Sequence, residues 1–250
     1  LWLLGSLAVF TASAVRILRF HALVRRAGRA ESTTEALVDA AAAHLGHTSN
    51  PPQVRLVDHA APPLLWPLGK TPTIVLPARW WRATPGPERS TVVMHELVHW
   101  RRGDHWVRLF HWVASVAFWW HPLVWIARGE LHRLEEQCCD AEVMHRLPGA
   151  GRAYASALLS AAQWLDGAPQ TLRRRGGAPL LAMRMSHSVR FESFHHRIQM
   201  LPSLDHRPWT RGRLVGVTLA AALPLLVGIG AHADEDAPSP PPPAAKAPVA

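Results

Sequence analysis

The sequence predicts a mainly helical fold embedded in a membrane, with one small β-hairpin or short sheet set into it. Three observations predict it. Apolar residues, 48% of the 250, gather at both ends and in one central block instead of spreading evenly. Arginines border those runs, at Arg16, Arg19, Arg25, Arg26 and Arg29 and again at Arg207, Arg211 and Arg213. Positive charge kept on the cytoplasmic side of a membrane has that asymmetry. Only between Pro51 and Trp81 does the pattern turn β-like, as short branched runs between proline and glycine turn signals.

Leu1 to Phe20 reads as the end of a transmembrane helix, because its basic residues follow the apolar run, whereas a signal peptide has them first. The opening residue is Leu1, so earlier membrane segments are compatible with the sequence. Glu31 to His47 follows as a polar-surfaced helix capped by Ser32, Thr33 or Thr34. Val54–Val57 and Thr73–Leu76 supply the strands, and the latter could equally offer an edge to an extended substrate or pack in the core. Pro85 to Arg89 forms a turn, with Ser90 or Thr91 capping the helix through His99.

Trp106 to Ala127 is a tryptophan-rich apolar block, long enough to span about 30 Å but interrupted by His111, His121 and Pro122. Glu130 to Leu147 resumes as a charged helix, and Ala153 to Leu165 is amphipathic. Gln170 to Ala178 is a basic loop and Phe191 to Leu201 a short helix. Leu214 to Ala233 is apolar over a bilayer's width, with arginines before it and Asp234, Glu235 and Asp236 after it. The expected organisation is a transmembrane helix over residues 1–20 and a cytoplasmic-facing domain over 21–213. Within that domain, 106–127 is an interfacial or re-entrant segment. A second transmembrane helix spans 214–233, and 234–250 is a Pro/Ala-rich extracytoplasmic tail.

The net charge of +9 is almost wholly arginine, lysine occurring only at Lys70 and Lys246. No nucleic-acid reading motif accompanies it, so membrane lipid is the expected partner and direct nucleic-acid binding is not. Cys138 and Cys139 are the two cysteines. Adjacent in sequence, they cannot frame a disulfide fold and read as reduced, core-facing thiols.

Chemistry concentrates in His95-Glu96-Leu97-Val98-His99. On an α-helix, residues i and i+4 share a face, so both imidazoles can reach one tetrahedral ion. Glu96 lies beside that face, placed to take a proton from an activated water. Val92, Val93, Leu97 and Val98 put the string on a buried helix, where two histidines and a glutamate without a metal would be costly. A third ligand is needed, and Glu130, Glu135, Glu136 and Asp140 follow on the next polar helix. Glu136 and Asp140, four apart, can point to one place, Glu136 as ligand and Asp140 as the acceptor that fixes a histidine tautomer. The bland alternative is a solvated acidic face paired with Arg128 and Arg133.

In order, His95–Asp104 (HELVHWRRGD), Trp119–Trp125 (WWHPLVW) and Glu136–Ala141 (EQCCDA) resemble the BlaR/MecR-type antirepressor metallopeptidases. Pro67-Leu68-Gly69 and Pro72–Pro77 upstream resemble the family's segment before its metal helix, and the similarity covers roughly Val54 to Leu201. The resemblance implies a membrane-embedded zincin-type metalloprotease domain of the gluzincin kind. It implies one Zn²⁺ held by His95, His99 and Glu136, with Glu96 as general base. Further implications are a bacterial inner-membrane, multi-pass location with the site facing the cytoplasm, and cleavage of a transcriptional repressor or of the enzyme itself. A homo-oligomer is compatible with it.

β-Lactam-sensing members carry a penicillin-binding domain after the last span; here that place holds a Pro/Ala tail without a Ser-x-x-Lys nucleophile, so acylation by an antibiotic is not expected. The competing expectation of another class is a non-catalytic signalling scaffold that keeps the metal for structure. Around the site, Asp104 could bond near the metal or pair with Arg101. His105, His121 and His132 are equal candidates for stabilising an oxyanion. Arg173-Arg174-Arg175 reads as a solvated loop.

Overall fold

The computed structural model describes residues 1–46, 50–167 and Arg197. The basic loop, the 214–233 span and the 234–250 tail expected from sequence lie outside the described residues, as does the 191–201 helix apart from Arg197. Helix α1 (Trp2–Arg26) leads into strand β1 (Gly28–Arg29), helix α2 (Ser32–His44) and strand β2 (Gln53–Val57). Strands β3 (Leu64–Trp66) and β4 (Thr73–Pro77) follow, then helices α3 (Ala78–Ala83), α4 (Gly86–Arg102), α5 (Asp104–Ala117), α6 (Pro122–Arg146) and α7 (Gly151–Gly167).

The sheet has the order β1-β2-β4-β3. β2 pairs with β4 in parallel, Val54 opposite Ile74, while β3 is antiparallel to β4, Leu65 opposite Ile74. The two strand runs legible in the sequence therefore do not form a hairpin with each other. Thr73–Leu76 is also a central strand, and the edge near the helices is β3, a three-residue strand too short to read from its pattern.

Alternation along the strands sorts the core into two layers. Val54, Leu65, Ile74 and Leu76 face a cluster that takes in Val38 of α2, Val93, Leu97 and Val98 of α4, Cys139 and Val143 of α6, and Tyr154 and Leu158 of α7. Val57, Leu64, Trp66 and Val75 face the other way, onto Phe20 and Val24 of α1. So the C-terminal half of α1 covers one sheet face and the metal helix the other. Hydrogen bonds from indoles complete the packing: Trp81 to Thr34, Trp80 to Ser160 and Trp66 to His21.

Several boundaries differ from expectation. α1 continues six residues past Phe20, since Arg25 and Arg26 sit well in a last turn, where the helix dipole favours cations. α4 begins at Gly86, not at Ser90 or Thr91, because Pro87 fits the first turn of a helix and needs no N–H donor there. Ser90 and Thr91 instead bond back to the carbonyls of Gly86 and Glu88.

The largest difference is in the apolar block. It is no single helix: α5 stops at Ala117, Phe118–His121 turn, and α6 starts at Pro122 and runs for 25 residues to Arg146. His121 caps α6, its ring Nδ1 accepting from Leu123 N at 3.3 Å. The reversal brings the acidic stretch of α6 back beside α4. α1 runs along this hairpin, with Trp2 donating to the Ala117 carbonyl at 2.9 Å and Phe10 packed on Trp112. At Gly5 an added Cβ would lie 2.3 Å from the Trp119 ring, so only glycine permits that approach. Among the described residues, α1 alone is long and apolar enough to cross a membrane.

Candidate metal centre

α4 is amphipathic in an unusual sense: its buried face carries His95, Glu96 and His99 among Val92, Val93, Leu97 and Val98. α4 packs on α2, α6 and α7, and α6 supplies buried Glu135, Glu136 and Asp140 opposite the histidines. His95, His99 and Glu136 come together so that one ligand atom of each lies within 4.8 Å of the others. The two Nε2 atoms are 3.2 Å apart. Glu136 sets Oε2 3.4 Å from His95 Nε2 and Oε1 3.3 Å from His99 Nε2.

The hydrogen-bond network around the rings assigns their protons. His99 Nδ1 donates to Asp104 Oδ2 at 2.7 Å. His95 Nδ1 donates to the Tyr154 hydroxyl at 2.8 Å, and that hydroxyl in turn donates to Asp140 Oδ1. Asp140 itself stays 3.5 Å from His95 Nδ1, so the tyrosine relays the contact. With both Nδ1 atoms engaged by outer partners, the two Nε2 atoms and the Glu136 carboxylate are left to face one point. That donor set fits a divalent cation, with outer carboxylates orienting each ring.

Arg197 closes the centre from a distant part of the sequence. It donates through Nε to Asp140 Oδ2 at 2.8 Å and through Nη2 to the Tyr154 hydroxyl at 3.0 Å, and its Nη1 lies 2.8 Å from Glu136 Oε2. Burial opposes ionisation of Glu136, but the Arg197 guanidinium and the two imidazoles outweigh it and hold the carboxyl well below its usual range. Asp104 is likewise buried yet held low, by the His99 hydrogen bond and the charges of Arg102 and Arg108.

A second group, His99, Asp104 and Cys139, also lies within 4.8 Å. It is the poorer metal site. His99 Nδ1 is already engaged with Asp104, and burial pushes the Cys139 thiol up to about 12. Cys139 instead donates to Asp104 Oδ2 at 3.6 Å, as part of the acceptor's surroundings.

Glu96 is buried and makes no hydrogen bond or ion pair with any other described residue. A carboxylate next to the ligands and committed to nothing else is available for proton transfer. Asp104 pairs with Arg102, not Arg101, which bonds Glu142 on α6. Of the three oxyanion candidates, His121 is occupied as the cap of α6. His105 lines a cleft with Leu65, Trp66 and His99. His132 has its Nδ1 3.8 Å from Glu136 Oε1. The acidic-face alternative holds only for Glu130, whose exposed carboxylate pairs with Arg133.

Sequence reasoning missed Tyr154 and Arg197. Tyr154 had a signal, being the one tyrosine of the chain, on an alanine-rich helix where a buried hydroxyl needs a partner. Arg197 had none among 27 basic residues.

Over residues 1–174 the chain matches the sequence profile of the family described as BlaR1 peptidase M56. No curated protein matches it.

Proposed function

The chain belongs to the BlaR1 peptidase M56 family, a metallopeptidase-type family, and from that premise we propose that it is a membrane-held zinc endopeptidase acting at His95, Glu96, His99 and Glu136. The observation that carries the reading is the convergence of His95, His99 and Glu136 on one buried point beside Glu96, a buried carboxylate without a partner among the described residues. Zinc, when bound there, supplies a Lewis acid that polarises the scissile carbonyl and makes the attacking water more acidic.

The chain's own residues do the rest. Glu96 takes the proton from the attacking water and hands it to the leaving amine as the C–N bond breaks. Asp104 holds the His99 tautomer, and the Tyr154–Asp140–Arg197 network holds that of His95, so neither ring must reorganise during the reaction. Arg197 also fixes Oε2 of Glu136. The short edge strand β3 offers free backbone groups to an extended substrate beside the cleft lined by His99.

In this reading α1 crosses the bacterial inner membrane with its arginine-bearing end in the cytoplasm. The α5–α6 hairpin enters the apolar layer beside it and returns. The exposed Leu3, Leu7, Phe10, Phe110, Val113, Leu123 and Ile126 side chains support that placement. A hairpin returns to the side it left, so His99 and Glu136 share one compartment, which a single crossing would forbid. The substrate is a cytoplasmic regulatory protein of repressor type or the chain itself.

The Glu96→Gln form should bind zinc like the native chain and lose about 100-fold or more of its cleavage rate. Cells expressing each form are compared for the proteins they cleave. Undiminished proteolysis by Glu96→Gln would remove Glu96 from the reaction, and a zinc-loaded native chain that cleaves nothing would favour a signalling scaffold.

A further inference from the structure

Two guanidiniums flank the Glu136 carboxylate, and they are held differently. Arg197, with Nη1 2.8 Å from Oε2, commits its other nitrogens to Asp140 and Tyr154. Arg108 approaches Oε1 from α5, its Nη2 3.9 Å away, too far for a hydrogen bond. It is anchored at one point, where Nε donates to Glu135 Oε2 at 3.0 Å. Neither Nη group of Arg108 hydrogen-bonds to another described residue. Arg108 also lines the cleft that His99 shares with Leu65 and Trp66. Those two belong to β3, the strand at the edge of the sheet. A peptide laid along that edge would pass between a metal ligand and a permanently charged donor with uncommitted N–H groups.

Water adding to a peptide carbonyl puts negative charge on the carbonyl oxygen, and a donor already aimed at that oxygen lowers the barrier. The three histidines that the sequence offers for this task are less well placed. His121 caps α6, and His132 lines the cavity between α1, α5 and α6 instead of the cleft. His105 does line the cleft, but its ring packs on Trp106 and its Nδ1 is buried.

We propose that Arg108 is a catalytic residue whose Nη groups donate to the scissile carbonyl oxygen as that oxygen becomes negative. The proposal rests on the endopeptidase reading. Arg108 forms and breaks no covalent bond and stays charged throughout, so proton transfer remains with Glu96. The bond to Glu135 holds the guanidinium in place before substrate arrives, and the donor need not reorganise during the reaction. A purely structural Arg108 would do no more than neutralise the buried Glu135 and Glu136.

The test uses the zinc-loaded full chain in lipid nanodiscs and alanine-flanked hexapeptides varied at the central bond. Each peptide is made as the amide and as the phosphinate, whose anionic tetrahedral group mimics the adduct. Arg108→Gln should lower kcat about 100-fold and leave KM within about threefold. Phosphinate binding should weaken by a similar factor, whereas amide binding, measured on the Glu96→Gln background, should not change. Zinc affinity, read by competition with a chelator, should stay within about threefold. Arg108→Lys keeps the charge without the fork and should recover part of the rate, to about tenfold below native. Arg108→Gln combined with Glu135→Gln, which leaves no buried carboxylate stranded, should behave like Arg108→Gln alone. Native-like kcat without the guanidinium overturns the assignment. So does a loss that zinc affinity and amide binding share equally, the mark of a structural role. If the zinc-loaded native chain cuts no peptide of the panel, the endopeptidase reading itself fails, and Arg108 loses the role with it.

Discussion

The two histidines of α4 reach the same point, but the regions that hold them are built differently. His99 is secured locally: Gly103, with φ of 74°, ends α4 in the left-handed region, turns the chain, and delivers Asp104 to the ring five residues away. His95 is secured from afar, by Tyr154 on α7, Asp140 on α6 and Arg197 beyond them. One side depends mainly on a single turn, with Cys139 Sγ of α6 3.3 Å from the same ring nitrogen. The other spreads the task over a network in which Asp140 stands in reserve, 3.5 Å from the ring. The contrast teaches that equivalent ligands need not be equally vulnerable.

Substitution sharpens that contrast. Asp104→Ala removes the carboxylate bonded to His99 Nδ1 and should weaken zinc binding by about 10–100-fold, read by competition with a chelator. Tyr154→Phe breaks the relay to His95 but leaves Asp140 close enough to approach the ring. Its loss should be smaller, about tenfold or less in the same assay. Equal losses in the two variants would erase the distinction between a local and a distributed support. Gly103→Ala forces a Cβ into the left-handed region and should cost on the order of 1 kcal/mol in thermal unfolding. Zinc affinity should fall with it if Asp104 shifts.

The same contrast explains what was legible in the sequence. The ligand pair and the base stand in one short string whose spacing puts both histidines on one helix face, whereas Glu136, on the next helix, is one of several acids that only the family resemblance singles out. Asp104 lies near enough in sequence to be suspected, though its partner was open between the metal site and Arg101. Tyr154 and Arg197 are brought in by tertiary packing, and no local pattern encodes that. In the fold, long helices with apolar faces were readable. β1 and β3 were not, because two or three residues carry no period. The reversal at Phe118–His121 was half readable: Pro122 marked a bend, but the tryptophan-rich run around it gave no direction for the returning helix.

The central claim is that His95, His99 and Glu136, and not the neighbouring group with Cys139, hold the metal. X-ray absorption at the zinc edge of the loaded full-length chain tests it most directly. The account predicts a first shell of nitrogen and oxygen only, at about 2.0–2.2 Å, with the outer scattering of two imidazoles. A sulfur scatterer at about 2.3 Å, lost in Cys139→Ala, would contradict it.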